Sequence, residues 1–163
     1  MSTEERFRTI HAQEMEANGV HDEEYFMREK YQLGILTDHL KSHGFDYTTE
    51  GRIFCYPIDI LCVRDDTTVA IEMKSGKISR GVEQAKRNSD FVDFSYLAVW
   101  EEQITDSLIG TVTDTPVGLF SVAESITQIS PPMKTAQQLC SRDAVFSSVG
   151  NDVRDNTSVQ QSQ

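Results

Sequence analysis

The sequence has few cysteines, few lysines and no long apolar run. Its three cysteines, Cys55, Cys62 and Cys140, are an odd number at spacings that match no zinc pattern. They read as plain structural thiols of a reducing compartment, two of them packed in strands as small apolar groups. No apolar stretch approaches the ~18–20 residues a membrane span needs. The first thirty residues, beginning "MSTEERFRTIHAQEMEANG", are polar and acidic and do not resemble a signal peptide. The expectation is a soluble, cytoplasmic protein without membrane association. No phosphate-binding glycine loop, dinucleotide glycine motif or Ser-His-Asp arrangement is visible.

Positive charge is scarce too. Against 26 acidic residues stand 15 basic ones, giving a net charge of −11. That balance speaks against a large non-specific nucleic-acid binder, because phosphate affinity comes from Lys and Arg. Only 6 of the bases are lysine. An acidic, lysine-poor chain suits a high-salt cytoplasm, where long-range repulsion from DNA is screened within a few ångströms.

The chain is long enough, at 163 residues with 38% hydrophobic, to bury the core of one domain. Residues 1–21 read as a polar N-terminal extension, 22–130 as an α/β domain and 131–163 as a polar, disordered tail. From Asp22 to His43 the pattern is helical, with Phe26, Leu33, Leu36 and Leu40 on one stripe, and Gly44 ends it. A strand from about Phe45 to Cys55 is interrupted near Glu50-Gly51. Ile58–Val63 and Val69–Lys74 are further strands flanking the turn residues Asp65 to Thr68. Ser79 is placed to cap a helix running to about Asp90, with Val82, Ala85, Ser89 and Val92 inward. Phe94–Trp100 is an apolar strand. Glu101–Val112 is predicted as a helix, Val117–Val122 as a short strand and Met133–Cys140 as a short helix. The order predicts a mixed central sheet flanked by helices.

One segment does not fit a plain hairpin. "YPIDILCVRDDTTVAIEMKSG" carries Asp59 in its first strand and Glu72 and Lys74 in its second. With a two-residue turn at Asp65-Asp66, Asp59 lies opposite Glu72. With a four-residue turn it lies opposite Lys74. Either register puts all three on one face, and a one-residue slip would separate them. Opposed carboxylates destabilise a sheet unless neutralised. Lys74 could do so as a structural triad. A divalent cation could do so as well, and hard oxygen ligands suit Mg²⁺ or Mn²⁺. From Lys74 to Arg87 the bases Lys74, Lys77, Arg80, Lys86 and Arg87 meet only one acid, Glu83, so this window is basic within an acidic chain.

Pro57-Ile58-Asp59 followed by Glu72-Met73-Lys74 resembles the signature of the PD-(D/E)XK nuclease superfamily, the restriction-endonuclease-like fold. "LKSHGF", "PIDILCV" and "IEMK" are similar in order and spacing to archaeal Holliday-junction resolvases, a branch of that superfamily. The resemblance covers about half of the chain. It implies a core of helix, three strands, helix and strand. It also implies a metal-dependent DNA endonuclease acting on duplex or branched DNA, or on RNA. Asp59, Glu72 and the Met73 carbonyl would hold Mg²⁺ or Mn²⁺, and Lys74 would position the attacking water. Lys77, Arg80, Lys86 and Arg87 would grip flanking phosphates. Members often carry a Glu on the first helix; Glu29 is the candidate, with Glu23 and Glu24 as rivals. Gln84 could fill the place of a Gln that some members use on the later helix. The tyrosine four residues beyond it is absent, and Asn88 stands there. Symmetric cutting of two strands would favour a homodimer.

Two other readings compete. One is a catalytically inactive nuclease-like fold that binds DNA or protein. The other is an acidic structural or DNA-mimic protein whose hairpin charges form a salt-bridge triad. His39 and His43 lack a third ligand, and Phe94, Tyr96 and Trp100 read as core and not as a base-stacking platform.

Overall fold

The computed structural model describes the backbone of residues 23–53, 56–135 and 145–150, and the side chains of 30–51, 57–135 and 145–150. It is an α/β fold. Helix α1 (Glu23–Ser42) leads into strands β1 (Asp46–Ile53), β2 (Tyr56–Arg64) and β3 (Thr67–Lys74). Helix α2 (Ile78–Asn88) and strand β4 (Phe94–Trp100) follow, then a 3₁₀ turn (Glu101–Gln103), helix α3 (Asp106–Thr113) and strands β5 (Gly118–Val122) and β6 (Ile126–Ser130). The strands form one six-stranded sheet in sequence order. β1, β2 and β3 pair antiparallel, β3, β4 and β5 pair parallel, and β6 returns antiparallel to β5. A parallel β3–β4 pair requires a crossover, which α2 supplies. No described helix is long and apolar enough to cross a membrane.

Local chemistry explains the element ends. Gly44, at φ +77°, stops α1; Phe45 N–H reaches Leu40 O at 3.0 Å and Gly44 N–H reaches Lys41 O at 3.2 Å, a Schellman closure. Glu50 adopts φ +54° where the interruption of β1 is expected. The hairpin turns on Asp65-Asp66, with Asp65 at φ +53°, a conformation Asp tolerates. The pairs Ile60↔Ile71 through Arg64↔Thr67 fix the register of the two-residue turn.

The sheet buries both faces. On one side Ile35, Leu36 and Leu40 of α1 pack on Ile60, Cys62, Val69, Ile71 and Ala98. On the other, Val82 and Ala85 of α2 and Leu108 and Val112 of α3 pack on Leu97, Val99 and Leu119. Phe94, Tyr96 and Trp100 pack against the α1-side cluster, as core residues should. Cys62 is a buried free thiol, its ionisation pushed well up by burial.

Several sequence expectations are corrected. Ser79 does not cap α2: the cap position is Lys77, in the left-handed region at φ +51°, with no side-chain cap bond. The buried face of α1 runs through Gln32, Ile35, Leu36 and Leu40, while Leu33 is half-buried. Glu101–Val112 is not one helix, because the chain leaves the 3₁₀ turn and restarts at Thr105, whose side chain accepts the Leu108 N–H. Strand β6 is absent from the sequence expectation, and residues 133–135 are not helical. Residues 145–150, expected in the polar tail, are helical; Val145 and Val149 are buried with Ile58, Leu61, Val63, Ala70, Phe91 and Val92. The packed unit therefore reaches beyond 130. The N-terminal extension, Cys55, Cys140 and residues 151–163 lie outside the described residues.

Candidate metal and phosphate site

Alternation along β3 sends Val69, Ile71 and Met73 towards α1, and Ala70, Glu72 and Lys74 towards α2. The hairpin register sets Asp59 opposite Glu72, one position past the last ladder pair, Ile60↔Ile71. There the Asp59 carboxylate stands in for the ladder: its Oδ2 accepts the Met73 N–H at 2.9 Å. In a strand a residue's N–H and C=O point to the same side, so the Met73 carbonyl lies on the β2 edge of β3 as its N–H does.

Glu72 is buried, only 3% exposed, whereas Asp59 and Lys74 are half-exposed. Asn88 Nδ2 on α2 donates to Glu72 Oε1 at 2.9 Å. Burial pushes the Glu72 carboxyl up to about 8, and the hydrogen bond to Asp59 and the Asp59 charge push the same way. Asn88 and the Lys74 ammonium oppose that rise without cancelling it. Asp59, Glu72 and Lys74 thus converge, with the solvent side formed by Asp59 and Lys74.

Helix α2 lies against this triad along a stripe spaced i, i+3, i+7. Gly81 faces Lys74; a Cβ there would run into the Lys74 Cγ, so only glycine leaves room for the lysine stem. Asn88 reaches Glu72 at the other end. Gln84 lies between them in sequence, and its Oε1 is buried without a hydrogen-bond partner.

The candidate phosphate-binding bases divide into two pairs. Lys77 and Arg80 are exposed at the start of α2, whose first turn carries no acid. Lys86 forms an i,i+3 ion pair with Glu83 at 3.6 Å, and Arg87 Nη2 donates to the Pro57 carbonyl at 3.3 Å. The last two are tied to the protein, Arg87 next to the strand that carries Asp59. Glu23, Glu24 and Glu29 lie on α1, but their side chains fall outside the described residues.

Among the described residues no three His, Cys, Asp or Glu side chains form a metal-holding group. Two carboxylates and a peptide carbonyl with the remaining positions filled by water are what Mg²⁺ commonly takes, so this donor set fits a hard cation. The His39 and His43 rings lie 4.1 Å apart and tilted by 31°, and the ring of His43 bonds the His39 carbonyl at 2.8 Å. Burial, and then His43, lowers the His39 pKa.

Sequence inspection misses three polar residues around the site: Gln32, Gln103 and the role of Asn88. Gln32 Nε2 donates to Lys74 O at 3.3 Å and Ala98 O at 3.0 Å, and Gln103 Nε2 donates to Ser75 O. The available signal for Gln32 is its place on the apolar face of α1, where a polar residue needs internal partners.

The fold and site together define an α/β protein with a carboxylate pair and a lysine at the fork of a hairpin. No family model, curated protein or solved structure matches the chain.

Proposed function

We propose that this protein is a metal-dependent nuclease that hydrolyses phosphodiester bonds in DNA. The observation that carries the reading is the Asp59–Glu72 pair. Two carboxyl groups are held together at the open end of a hairpin, one of them buried, with an ammonium beside them. Repulsion of this kind is what a bound dication relieves. The element order supports the same reading: a helix, three strands, a helix and a strand, the order that the resemblance to the restriction-endonuclease-like fold implies.

Asp59, Glu72 and the Met73 carbonyl would hold Mg²⁺ or Mn²⁺. When bound, such an ion polarises a phosphate oxygen and makes a water more acidic. Lys74 orients the attacking water and offsets charge developing on the phosphate oxygens. Asn88 keeps Glu72 turned towards Asp59, and Gln84, between Gly81 and Asn88 on the same helix, offers a further buried polar group. Lys77 and Arg80 hold flanking phosphates without reading bases. Phosphate specificity of this kind leaves duplex and branched DNA, and RNA, as the substrates to compare.

The depth of Glu72 favours a second reading, a nuclease-like fold that binds DNA or protein without cutting, because a proton between the two carboxyls would neutralise them without a metal. Plasmid cleavage separates the two. The nuclease reading expects nicking that requires Mg²⁺ or Mn²⁺, stops with chelator and is lost in folded Asp59→Ala and Lys74→Ala proteins. Binding without cleavage under all these conditions would overturn it.

A further inference from the structure

The carbonyls that end β3 are held by two glutamines from different parts of the chain. Gln32, fully buried on α1, spans Lys74 O and Ala98 O with one amide nitrogen and so ties the end of β3 to β4. Gln103, from the 3₁₀ turn after β4, takes the next carbonyl, Ser75 O. Each glutamine leaves its own Oε1 buried without a hydrogen-bond partner. Each amide thus satisfies carbonyls at the end of the strand while its own oxygen stays unsatisfied, so it serves the backbone it holds more than its own hydrogen-bonding. The two amides take consecutive carbonyls, Lys74 O and Ser75 O, and Gln32 anchors its own to Ala98 O on β4 as well. The third neighbour is Gly81, which leaves the lysine stem a slot against α2.

The structure assigns Gln32, with Gln103 as its partner, as a positioning residue that fixes where the Lys74 ammonium stands relative to Asp59 and Glu72. The clamp acts on the backbone and touches neither carboxylate, so it bears on the lysine more directly than on the two carboxylate ligands. This inference rests on the nuclease reading.

The test uses the full chain and the near-isosteric change Gln32→Met, which removes the donors at similar volume. Cleavage of supercoiled plasmid gives kcat, KM and the Mg²⁺ concentration for half-maximal rate. Dimethylation of the lysines with ¹³C gives a readout independent of activity, the Lys74 methyl signal being assigned with Lys74→Arg. The expected result is a kcat lower by about 10- to 100-fold, the loss that misplacement of a catalytic group by about 1 Å produces. KM and the Mg²⁺ requirement stay unchanged, and among the lysine signals that of Lys74 moves. A kcat within twofold of the wild type, or a kcat that falls together with Mg²⁺ affinity, overturns the positioning role and leaves the nuclease reading standing. A wild type that cuts no DNA or RNA with either ion overturns both. If Gln32→Met fails to fold, Gln103→Met carries the same expectation and the same overturning results.

Discussion

The two ends of β3 each bury a carboxylate contact, and they are built on opposite principles. At the start, Asp93 is buried and its Oδ2 accepts both the Thr68 N–H at 3.0 Å and the Thr68 hydroxyl at 3.2 Å, while Thr68 Oγ1 accepts the Asp93 N–H at 2.9 Å. This exchange ties the beginning of β3 to the beginning of β4. At the far end, Glu72 has one amide donor, a second carboxylate opposite and an ammonium nearby. A carboxylate surrounded by donors anchors a fold; one facing another carboxylate holds on to a proton, which a bound cation would displace. One strand therefore carries a structural end and a chemical end.

The sharpest way to separate the ends is to remove the ammonium. Lys74→Ala is expected to lower the rate of DNA cleavage by about a hundred- to a thousand-fold with little change in melting temperature, measured by plasmid nicking beside circular dichroism. The counterpart at the other end, Asp93→Ala, is expected to destabilise the protein by about 3 kcal/mol in urea unfolding, because the Thr68 N–H and hydroxyl lose their buried acceptor. If Asp93→Ala were neutral, the contrast between the ends would fail.

A third change tests the repulsion itself. The Glu72 carboxyl sits near 8 in the folded chain against 4.5 ordinarily, so between these values the folded protein keeps a proton that the unfolded chain has lost. Its contribution to stability is whole below about 4.5 and disappears as pH rises through about 8. Without divalent ions, unfolding free energy should therefore fall across that window. Glu72→Gln should flatten the fall and be more stable than wild type by about 2 kcal/mol above pH 8. Urea titrations at several pH values, with and without Mg²⁺, measure both. The smallest effect belongs to the helix beside the chemical end. Lys77→Ala and Arg80→Ala should each reduce the salt dependence of DNA affinity by about one unit of log–log slope. Lys86→Ala and Arg87→Ala should change it less, since those bases already have protein partners.

The hairpin was legible because its register follows from turn chemistry and a period of two. Asp65-Asp66 makes the short turn, and a fixed turn puts Asp59 across from Glu72. Gly44 and the apolar strand Phe94–Trp100 were equally open to inspection. What escaped was of two kinds. Strand β6 carries Thr127 and Gln128 on an exposed edge, so it has little apolar alternation to report it, and Val145 and Val149 are two apolar positions in a Ser-rich segment. Gln32, Asn88 and Gln103 escaped because single polar residues state nothing about their partners until a fold brings them together. The expected cap at Ser79 failed for a related reason: the chain enters α2 through a left-handed Lys77, a backbone choice that side-chain identity does not announce.

The docking of residues 145–150 has a practical corollary. Val145 and Val149 cover the outer flank of the hairpin next to Leu61, Val63 and Ala70. A gene shortened to stop after Ser130 would leave those side chains facing water, and its product should self-associate on purification even though every strand of the sheet is still encoded.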